Sequence, residues 1–543
     1  MQSLLTKFGV MIAAILFFCC MLIFGIHLTP YSTDNGASPI FLLGDYNTIG
    51  MVITALGGLG YLTVILLPNR KAGTKPKFWT KAFWIVALII SIPFVMTKVL
   101  FGNNDIEPIL VFLRDNQVDD MLTIGIDGFT KPIKTWSLLI LAIVASSFII
   151  THYKKHFEKI LVIFSIGLLA ISPLTQYIRT TLLPTAEHRD FVIKDRMYAP
   201  EILQKPSKQK NIVIVYLESV ERSYGQIAEF KPYFSPIQKL ADKSLELTNF
   251  VQTTGTGYTI AGVVSTQCGI PLLPNGLETV FFRNGLEASM KGFLPSVHCL
   301  GDQLSKDGYT LSYMNGASLD KFSKRSFLRE HGYSRLFDIA SLSDAEKQGR
   351  TNVWGLNDGI LFENATKEFD TLASSGAPFV QSILSISTHG PDAFLDNDCA
   401  PDPNSTSQIP RAIQCTGELV HKLINHIKES DVGDDTIVIV LNDHLAFFNS
   451  VISYLDKVGA DRRNLFMILE DGAPKKVSRQ IAPFDIYPTI LETLGYKIKD
   501  GRANMGVSLN SKNKNLVEEL GVDTVNKSFK GNQKLAAYLW RDK

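Results

Sequence analysis

The chain contains 543 residues, which is enough for two domains of ordinary size. Its net charge of +2 gives no sign of the strongly basic surface that nucleic-acid binding needs, so we expect no nucleic-acid partner. The mean hydropathy of +0.12 is high for a soluble protein, and the apolar excess lies in the first third of the chain.

Five apolar stretches in this first third are long enough to cross a bilayer, which takes about 20 residues. They are residues 8–28, 47–67, 82–101, 135–152 and 159–177. We interpret the first as an uncleaved helix rather than a signal peptide, because its apolar run is long and no A-x-A cleavage site follows it. No stretch carries an ionisable residue near its centre, which favours a membrane anchor over a transporter.

Lysine and arginine in the short loops predict the orientation of this anchor. The loops 68–81 and 152–159 are basic, whereas the acidic residues between them lie in 105–127. The basic loops are therefore expected in the cytoplasm, and an odd number of spans puts the rest of the chain outside it. The predicted organisation is a transmembrane anchor domain at 1–178, a connector at 179–210 and a globular catalytic domain at 211–543.

Short β-rich runs alternate with helical patterns from residue 211 onwards. Buried strands that alternate with helices predict an α/β domain with a central, mostly parallel sheet. The predicted strands are NIVIVYL (211–217), LTNFVQT (247–253), TLSYMN (310–315), FVQSILSIS (379–387), TIVIVLND (436–443) and LFMILE (465–470). Helices are predicted near 233–244, from Thr259, and near 354–373, 411–429 and 485–495.

Carboxylates and a histidine follow two of these strands, where ligand sites of such sheets lie. Glu218 follows the first strand, and Asp443 with His444 ends another. Thr259 opens an apolar helix, whose N-terminus favours anions through its free N–H groups and its dipole. These residue types predict a metal site next to a hydroxyl nucleophile. The alternatives are a Glu218 that caps the next helix, a solvated Asp443–His444 loop and a Thr259 that serves only as an N-cap.

Three further residues are candidates for contact with a substrate. His389 lies at a strand end in SISTHGP, and it could donate a hydrogen bond or a proton to a phosphate oxygen or a leaving group. Trp354 in NVWGLND and Asn315 in YMNGA could line a substrate pocket. A structural loop histidine, ordinary packing and a turn role are the respective alternatives.

Four of the six cysteines lie in the part of the chain that is expected outside the cytoplasm: Cys268, Cys299, Cys399 and Cys415. An oxidising compartment permits disulfides, and four cysteines allow three pairings. We favour Cys268–Cys299 and Cys399–Cys415, because each of these pairs closes a loop of modest length. Zinc binding by the four is the alternative, although no C-x-x-C unit is present.

The segments around these candidates resemble a known family. They read NIVIVYLESVERSYG, TGYTIAGVVSTQCGIPL, CLGDQL, FLREHGY, STHGPD and NDHLA. They are similar to the periplasmic phosphoglycerol transferases that modify osmoregulated glucans, relatives of the lipoteichoic acid synthases and phosphoethanolamine transferases in the alkaline phosphatase superfamily. The five-helix anchor resembles that of the lipoteichoic acid synthases.

This resemblance implies an alkaline-phosphatase-like (sulfatase-like) domain with one divalent-metal site. The metal ligands would be Glu218, Thr259, Asp443 and His444, with Thr259 also the nucleophile. Mn²⁺ is the implied metal, with Zn²⁺ and Mg²⁺ as alternatives. The implied location is the bacterial inner membrane with the catalytic domain in the periplasm.

The implied reaction moves phosphoglycerol from phosphatidylglycerol to a periplasmic or surface glycan through a covalent threonine intermediate. Phosphoethanolamine transfer to lipid A or another glycan is the alternative activity. The residues ESVERS and DHLAFFNS depart from the E-T-A-R and D-H-G-E-S-L-G-E of phosphoethanolamine transferases and so favour phosphoglycerol transfer. A membrane sensor or scaffold with a degenerate hydrolase domain is a third hypothesis, which the joint presence of Glu, Thr, Asp and His disfavours.

Overall fold

The computed structural model divides into two compact units, one of Met1–Ile109 with Gly125–Leu182 and one that contains Leu183–Lys543. The described residues are 2–28, 77–101, 126–154, 156–172 and 185–542, except 274–291, 344–346, 348, 391, 398, 404, 447–448 and 470–473. Single residues and short pieces at 64, 66–69, 75, 175, 178–179 and 182–183 are also described.

The first unit contains four long helices in its described part. They are α1 (Gln2–Leu28), α2 (Phe78–Phe101), α3 (Ile126–Tyr153) and α4 (Phe157–Ile171). The fully buried rings of Phe17, Trp84 and Phe157 lie in their common core. The helices overlap the predicted spans 8–28, 82–101, 135–152 and 159–177, whereas most of 47–67 lies outside the described residues. None of the helices described here combines the length and the apolarity of a membrane span, so the five-span anchor stays a prediction.

The second unit is built on an eight-stranded sheet with the strand order β5-β4-β6-β2-β7-β8-β3-β9. The sheet strands are β2 (Asn211–Leu217), β3 (Leu245–Leu247), β4 (Thr310–Asn315), β5 (Arg335–Phe337), β6 (Phe379–Leu384), β7 (Thr436–Asn442), β8 (Phe466–Leu469) and β9 (Lys475–Val477). Only β8 runs antiparallel to its neighbours β7 and β3, so the predicted mostly parallel sheet is confirmed for the described strands. Two small antiparallel pairs lie outside this sheet: β1 (Ile202–Gln204) with β10 (Lys497–Ile498), and β11 (Arg502–Ala503) with β12 (Gly506–Val507).

Helices cover both faces of the sheet, because β2 is apolar on both sides. Ile212, Ile214 and Tyr216 face a core that contains the helices Thr259–Cys268 and Ile486–Thr493. Val213 and Val215 face a second core, which contains the helices Lys231–Ala241, Asp358–Ser374 and Ile409–Glu429. The helices of this unit are α5 (Ala186–Asp190), α6 (Lys231–Ala241), α7 (Thr259–Cys268), α8 (Leu300–Lys306), α9 (Lys324–Glu330), α10 (Asp358–Ser374), α11 (Ile409–Glu429), α12 (Ile452–Val458), α13 (Ile486–Thr493), α14 (Leu516–Leu520), α15 (Val522–Phe529) and α16 (Gln533–Leu539).

Two predicted strands are shorter than their sequence patterns. The run 379–387 leaves the sheet after Leu384, because the carboxylate of Asp358 accepts the backbone N–H groups of Ile386 and Ser387 at 2.8 and 3.1 Å. The second predicted strand, 247–253, is wrong, since β3 ends at Leu247. The early end of β6 frees the segment that carries His389 from the sheet.

Both favoured disulfides are present. Cys268–Cys299 joins the last residue of α7 to the residue before α8, and Cys399–Cys415 joins a loop to α11. Each bridge is expected to stabilise the fold by roughly 2–4 kcal/mol, chiefly by restricting the unfolded chain. The alternative of a zinc site made by these four cysteines is wrong, because every one of their sulfur atoms is engaged in a disulfide.

Candidate active site

The carboxyl ends of two adjacent strands bring Glu218 and Asp443 together. Strands β2 and β7 run parallel, and their last residues, Leu217 and Asn442, are register partners. The next residue of each strand is a carboxylate, so two residues that lie far apart in sequence become neighbours at one edge of the sheet. Both side chains are buried, with relative exposures of 1% and 3%.

His444 completes a three-residue cluster with these carboxylates. Its Nε2 atom lies 3.2 Å from Asp443 Oδ2 and 3.4 Å from Glu218 Oε1. One potential ligand atom of each of the three residues lies within 4.8 Å of the other two. The alternatives of a capping Glu218 and a solvated Asp443–His444 loop therefore do not fit the structure, since all three side chains are buried against one another.

Thr259 lies beside this cluster at the first residue of α7. Its Oγ1 atom is 3.5 Å from both Glu218 Oε2 and His444 Nε2. Tyr258, not Thr259, is the N-cap residue, and its side chain makes no capping hydrogen bond. The interpretation of Thr259 as a plain N-cap is therefore wrong.

Gly262 lets α7 approach the end of β7. A Cβ atom at this position would lie 1.9 Å from the backbone oxygen of Asp443, which is far inside van der Waals contact. Glycine in the middle of a helix costs roughly 0.5–1 kcal/mol relative to alanine. The close approach explains the glycine, and it sets the distance between Thr259 and the residues at the strand end.

We therefore expect Gly262→Ala to disturb the site more than the fold, because the added methyl group must push the N-terminal turn of α7 away from Asp443. The measurement is metal content together with the thermal unfolding temperature of the purified protein. Gly308→Ala is the control, since a Cβ there meets no atom within 4 Å, although its φ of +87° adds backbone strain. Equal metal content in the parent and Gly262→Ala would contradict this explanation of the close contact.

The three side chains of the cluster shift one another's pKa values. Burial by itself would raise the pKa of Glu218, but the hydrogen bond and the charge of His444 outweigh it and lower this pKa. Burial and the Glu218 carboxylate raise the pKa of Asp443 to about 8. Burial would lower the pKa of His444, but the two carboxylates raise it to about 9. A metal cation would stabilise both carboxylates in their ionised forms, since opposite charges within about 4–6 Å do so.

The hydrogen bonds around the cluster fit a divalent metal. The Nδ1–H of His444 donates to the carbonyl oxygen of Leu445 at 2.8 Å, which leaves Nε2 with a lone pair when the ring is neutral. Asp443 Oδ2 is buried and accepts no hydrogen bond from the residues that the structure describes. Carboxylates, an imidazole and a hydroxyl form a donor set that suits Mn²⁺, Mg²⁺ or Zn²⁺.

The rings of His389 and Trp354 pack against each other near this cluster, tilted by 42°. Their ring centroids are 4.0 Å apart, and the Nδ1–H of His389 donates to the carbonyl of Gly390 at 2.8 Å. Thr388 donates its hydroxyl to the backbone oxygen of Glu218, which ties the His389 segment to the strand end. Burial lowers the pKa of His389, although the charge of Glu218 opposes the shift. Trp354 Nε1 is buried and meets no hydrogen-bond acceptor among the described residues.

Asn315 makes a hydrogen bond within a turn at the end of β4. It is the last residue of β4, and its Nδ2 atom donates to the carbonyl of Ala317 at 2.6 Å. This is the turn role that the sequence left open as the alternative. Contact between Asn315 and a substrate stays a prediction.

Comparisons with known proteins place this domain. The family model for sulfatases matches residues 210–496, a range that contains Glu218, Thr259, His389, Asp443 and His444. The chain belongs to the sulfatase family. The structure of a protein in the alkaline phosphatase superfamily from Vibrio parahaemolyticus matches with a TM-score of 0.50 and 18% identity, covering 68% of this chain and 96% of that one. This match confirms the predicted fold of the catalytic domain.

Two curated relatives of this chain are both named phosphoglycerol transferase I. Phosphoglycerol transferase I of Xanthomonas campestris is 34% identical over 303 residues, which are 54% of this chain and 42% of that protein. Phosphoglycerol transferase I of Salmonella paratyphi B is 28% identical over 452 residues, which are 80% and 57% of the two chains. The predicted kinship with phosphoglycerol transferases is confirmed, and the chain spans about half the length of the curated relatives that it matches.

The sulfatase domain also contains site residues that the sequence analysis missed. Ser219 donates its backbone N–H to Asp443 Oδ1 at 2.9 Å and its hydroxyl to Glu218 Oε1 at 2.8 Å. Its φ of +58° is unusual for serine, and strained backbone of this kind often marks a functional site. Only its place after Glu218 could have pointed to it, because nothing in a sequence reveals a positive φ at serine.

Lys324 is a second missed residue of the sulfatase domain. It is only 4% exposed, and its positive charge contributes to the lowered pKa of His389. Phe322 and Ser323 before it both adopt left-handed backbone, with φ of 57° and 55°. Because its charge acts on His389, Lys324 can also act on an anionic substrate near that ring. The run DKFSKRS has no feature that would have distinguished Lys324 from a surface lysine.

Proposed function

We propose that this chain is a metal-dependent phosphoglycerol transferase that moves phosphoglycerol from phosphatidylglycerol to a periplasmic or surface glycan. The observation that carries the proposal is the position of Thr259 Oγ1, which is 3.5 Å from atoms of both Glu218 and His444. The curated relatives named phosphoglycerol transferase I and the sulfatase family support the predicted enzyme class, a phosphotransferase.

In the first half-reaction, the oxygen of Thr259 attacks the phosphorus of phosphatidylglycerol. A bond forms between this oxygen and phosphorus, the bond from phosphorus to the diacylglycerol oxygen breaks, and diacylglycerol leaves. The N-terminus of α7 supports this role, because N–H groups at the start of a helix can bind phosphate oxygens. The charge of the buried Lys324, which acts on His389, would also act on the same anion.

The residues that would hold the metal are Glu218, Asp443, His444 and the hydroxyl of Thr259. A bound divalent cation, for which Mn²⁺ is our first choice and Zn²⁺ or Mg²⁺ the alternatives, would lower the pKa of the threonine hydroxyl and neutralise charge on the phosphodiester. Ser219 holds both carboxylates in place through its N–H and hydroxyl groups.

His389 is proposed to move protons at the leaving and attacking oxygens. A carbonyl can only accept, so the bond to Gly390 places a proton on Nδ1 and leaves Nε2 for proton exchange. The protonated ring would give a proton to the diacylglycerol oxygen. The neutral ring would then take the proton of the sugar hydroxyl that attacks the phosphoglyceryl-threonine in the second half-reaction. The bond between phosphorus and the Thr259 oxygen breaks in this step, and Thr259 leaves in its ionised form, ready for the next attack. Trp354, whose ring packs against His389, would form a wall of the substrate pocket.

Mass spectrometry of the Thr259 peptide after incubation with phosphatidylglycerol tests this proposal. We expect a glycerophosphate adduct on Thr259 and release of diacylglycerol. A phosphoethanolamine adduct, formed from phosphatidylethanolamine in a parallel incubation, would instead support the alternative activity. The absence of either adduct, with no release of diacylglycerol, would support the sensor or scaffold hypothesis and overturn the transferase.

We also propose that the chain is a multi-pass protein of the bacterial inner membrane with its catalytic domain in the periplasm. The basic loops 68–81 and 152–159 and the use of a lipid donor support this topology. An alkaline phosphatase fused to the C-terminus should be active, whereas a fusion at Lys75 should be inactive. The opposite pattern of fusion activities would show that the chain lies in the membrane in the reverse orientation.

A further inference from the structure

An ion pair between Glu221 and Arg462 lies close to the segments that carry the candidate metal ligands. Glu221 is three residues after Glu218 and is fully buried, but it belongs to no part of the cluster. Its carboxylate accepts from Arg462 Nε at 3.0 and 3.2 Å and also from Arg462 Nη2. Arg462 lies after α12, so the pair connects two segments that are far apart in sequence.

This pair holds both backbone groups of Ala446, which lies two residues after His444. The N–H of Ala446 donates to Glu221 Oε2 at 3.0 Å, and its carbonyl accepts from Arg462 Nη2 at 2.7 Å. The residue between them, Leu445, donates its N–H to the side chain of Gln252 and offers its carbonyl to His444 Nδ1. The backbone on which the His444 ring depends is therefore fixed by side chains, because β7 ends at Asn442.

We propose that Glu221 and Arg462 are positioning residues for the metal site, acting through the backbone of residues 444–446. The inference rests on the metal dependence in the proposed function. Loss of a partner that orients a metal ligand commonly costs about 10–100-fold in metal affinity. An ion pair that served stability alone would gain little over apolar residues of the same size, because the Glu221 carboxylate and most of the Arg462 side chain must leave water. The pair also makes two hydrogen bonds to the backbone of Ala446, which apolar side chains could not make. These bonds give a reason for charged residues at these positions.

The adjacent residue provides a matched control. Arg222 follows Glu221, and its Nε donates to the buried Glu246 at 2.7 Å. Glu246 lies on β3, and among the described residues it makes no hydrogen bond to residues 443–446. The two pairs therefore share a segment and a degree of burial, but only one of them holds the backbone after His444.

The test is titration of the full-length, detergent-solubilised protein with MnCl₂ by calorimetry, with thermal unfolding of the metal-free protein measured alongside. Glu221→Gln and Arg462→Lys are each expected to weaken Mn²⁺ binding by about 10–100-fold, the usual effect of losing such a partner. Glu246→Gln is expected to change the Kd by less than about twofold, even if its unfolding temperature falls as much. Arg462→Lys keeps the charge, so it carries the test if Glu221→Gln does not fold.

Two results would overturn the inference in distinguishable ways. If the parent binds Mn²⁺ but Glu221→Gln and Arg462→Lys bind it as tightly as Glu246→Gln does, the pair is merely structural. The proposed function would then stand. If the parent itself binds no Mn²⁺, Mg²⁺ or Zn²⁺, the metal dependence fails, and the positioning role fails with it.

Discussion

Replacement of Thr259 by alanine is expected to abolish the release of diacylglycerol from phosphatidylglycerol. The variant has no hydroxyl group to attack phosphorus, and loss of a catalytic nucleophile can lower kcat on the order of 10⁶-fold. The variant should still bind a divalent metal, although more weakly, because Glu218, Asp443 and His444 remain. Diacylglycerol release and metal content would be measured on the same preparations.

Thr259→Ser is the matched control, since it keeps the hydroxyl group at the start of α7. It should retain measurable turnover and form the covalent adduct. Turnover of Thr259→Ala at close to the parent rate would rule out the covalent mechanism. A metal-activated water or direct transfer to the acceptor would then have to replace it.

Replacement of Asp443 by asparagine is expected to remove both the metal and the activity. A neutral amide cannot replace a charged ligand for a hard cation. Ser219 and the backbone N–H of His444 both donate to Asp443 Oδ1, so the substitution also disturbs the bonds that orient the ligand. We expect metal affinity to fall by more than about 100-fold, since loss of an outer partner alone costs 10–100-fold. Elemental analysis after dialysis measures this change.

Asp485→Asn serves as the control for the loss of a buried carboxylate. Asp485 is fully buried and accepts the backbone N–H groups of Ala482 and Val507, but it is not part of the cluster. This variant should keep its metal content, whatever happens to its stability. Full metal content in Asp443→Asn would exclude Asp443 as a ligand and contradict the proposed site.

Local patterns in the sequence predicted the ends of the two strands that carry Glu218 and Asp443 to within one residue. The predicted runs 211–217 and 436–443 are apolar and β-branched, and the strands end at Leu217 and Asn442, each directly before a carboxylate. The hydrophobic pattern that marks a strand extends over only a few neighbouring residues, so the local sequence is enough to locate such strand ends. The same holds for the start of α7 at Thr259 and for the motifs that resemble phosphoglycerol transferases.

Other boundaries depended on contacts between distant residues. The pattern of FVQSILSIS continues past Leu384, but Asp358 captures the next backbone N–H groups and ends β6. The helix predicted from 354 begins only at Asp358, because Ala317 and Gly355 pair as an isolated bridge. Neither competing interaction is visible in the segment whose structure it changes.

The sequence by itself therefore determined the residue types of the site and their places at strand ends. Only the tertiary structure decided that β2 and β7 are neighbours, and so that Glu218 and Asp443 meet. It also assigned the roles of Ser219, Gly262 and the Glu221–Arg462 pair. Local propensity and periodicity act over a few residues, whereas the strand order and these contacts arise from pairing between segments that are up to 241 residues apart.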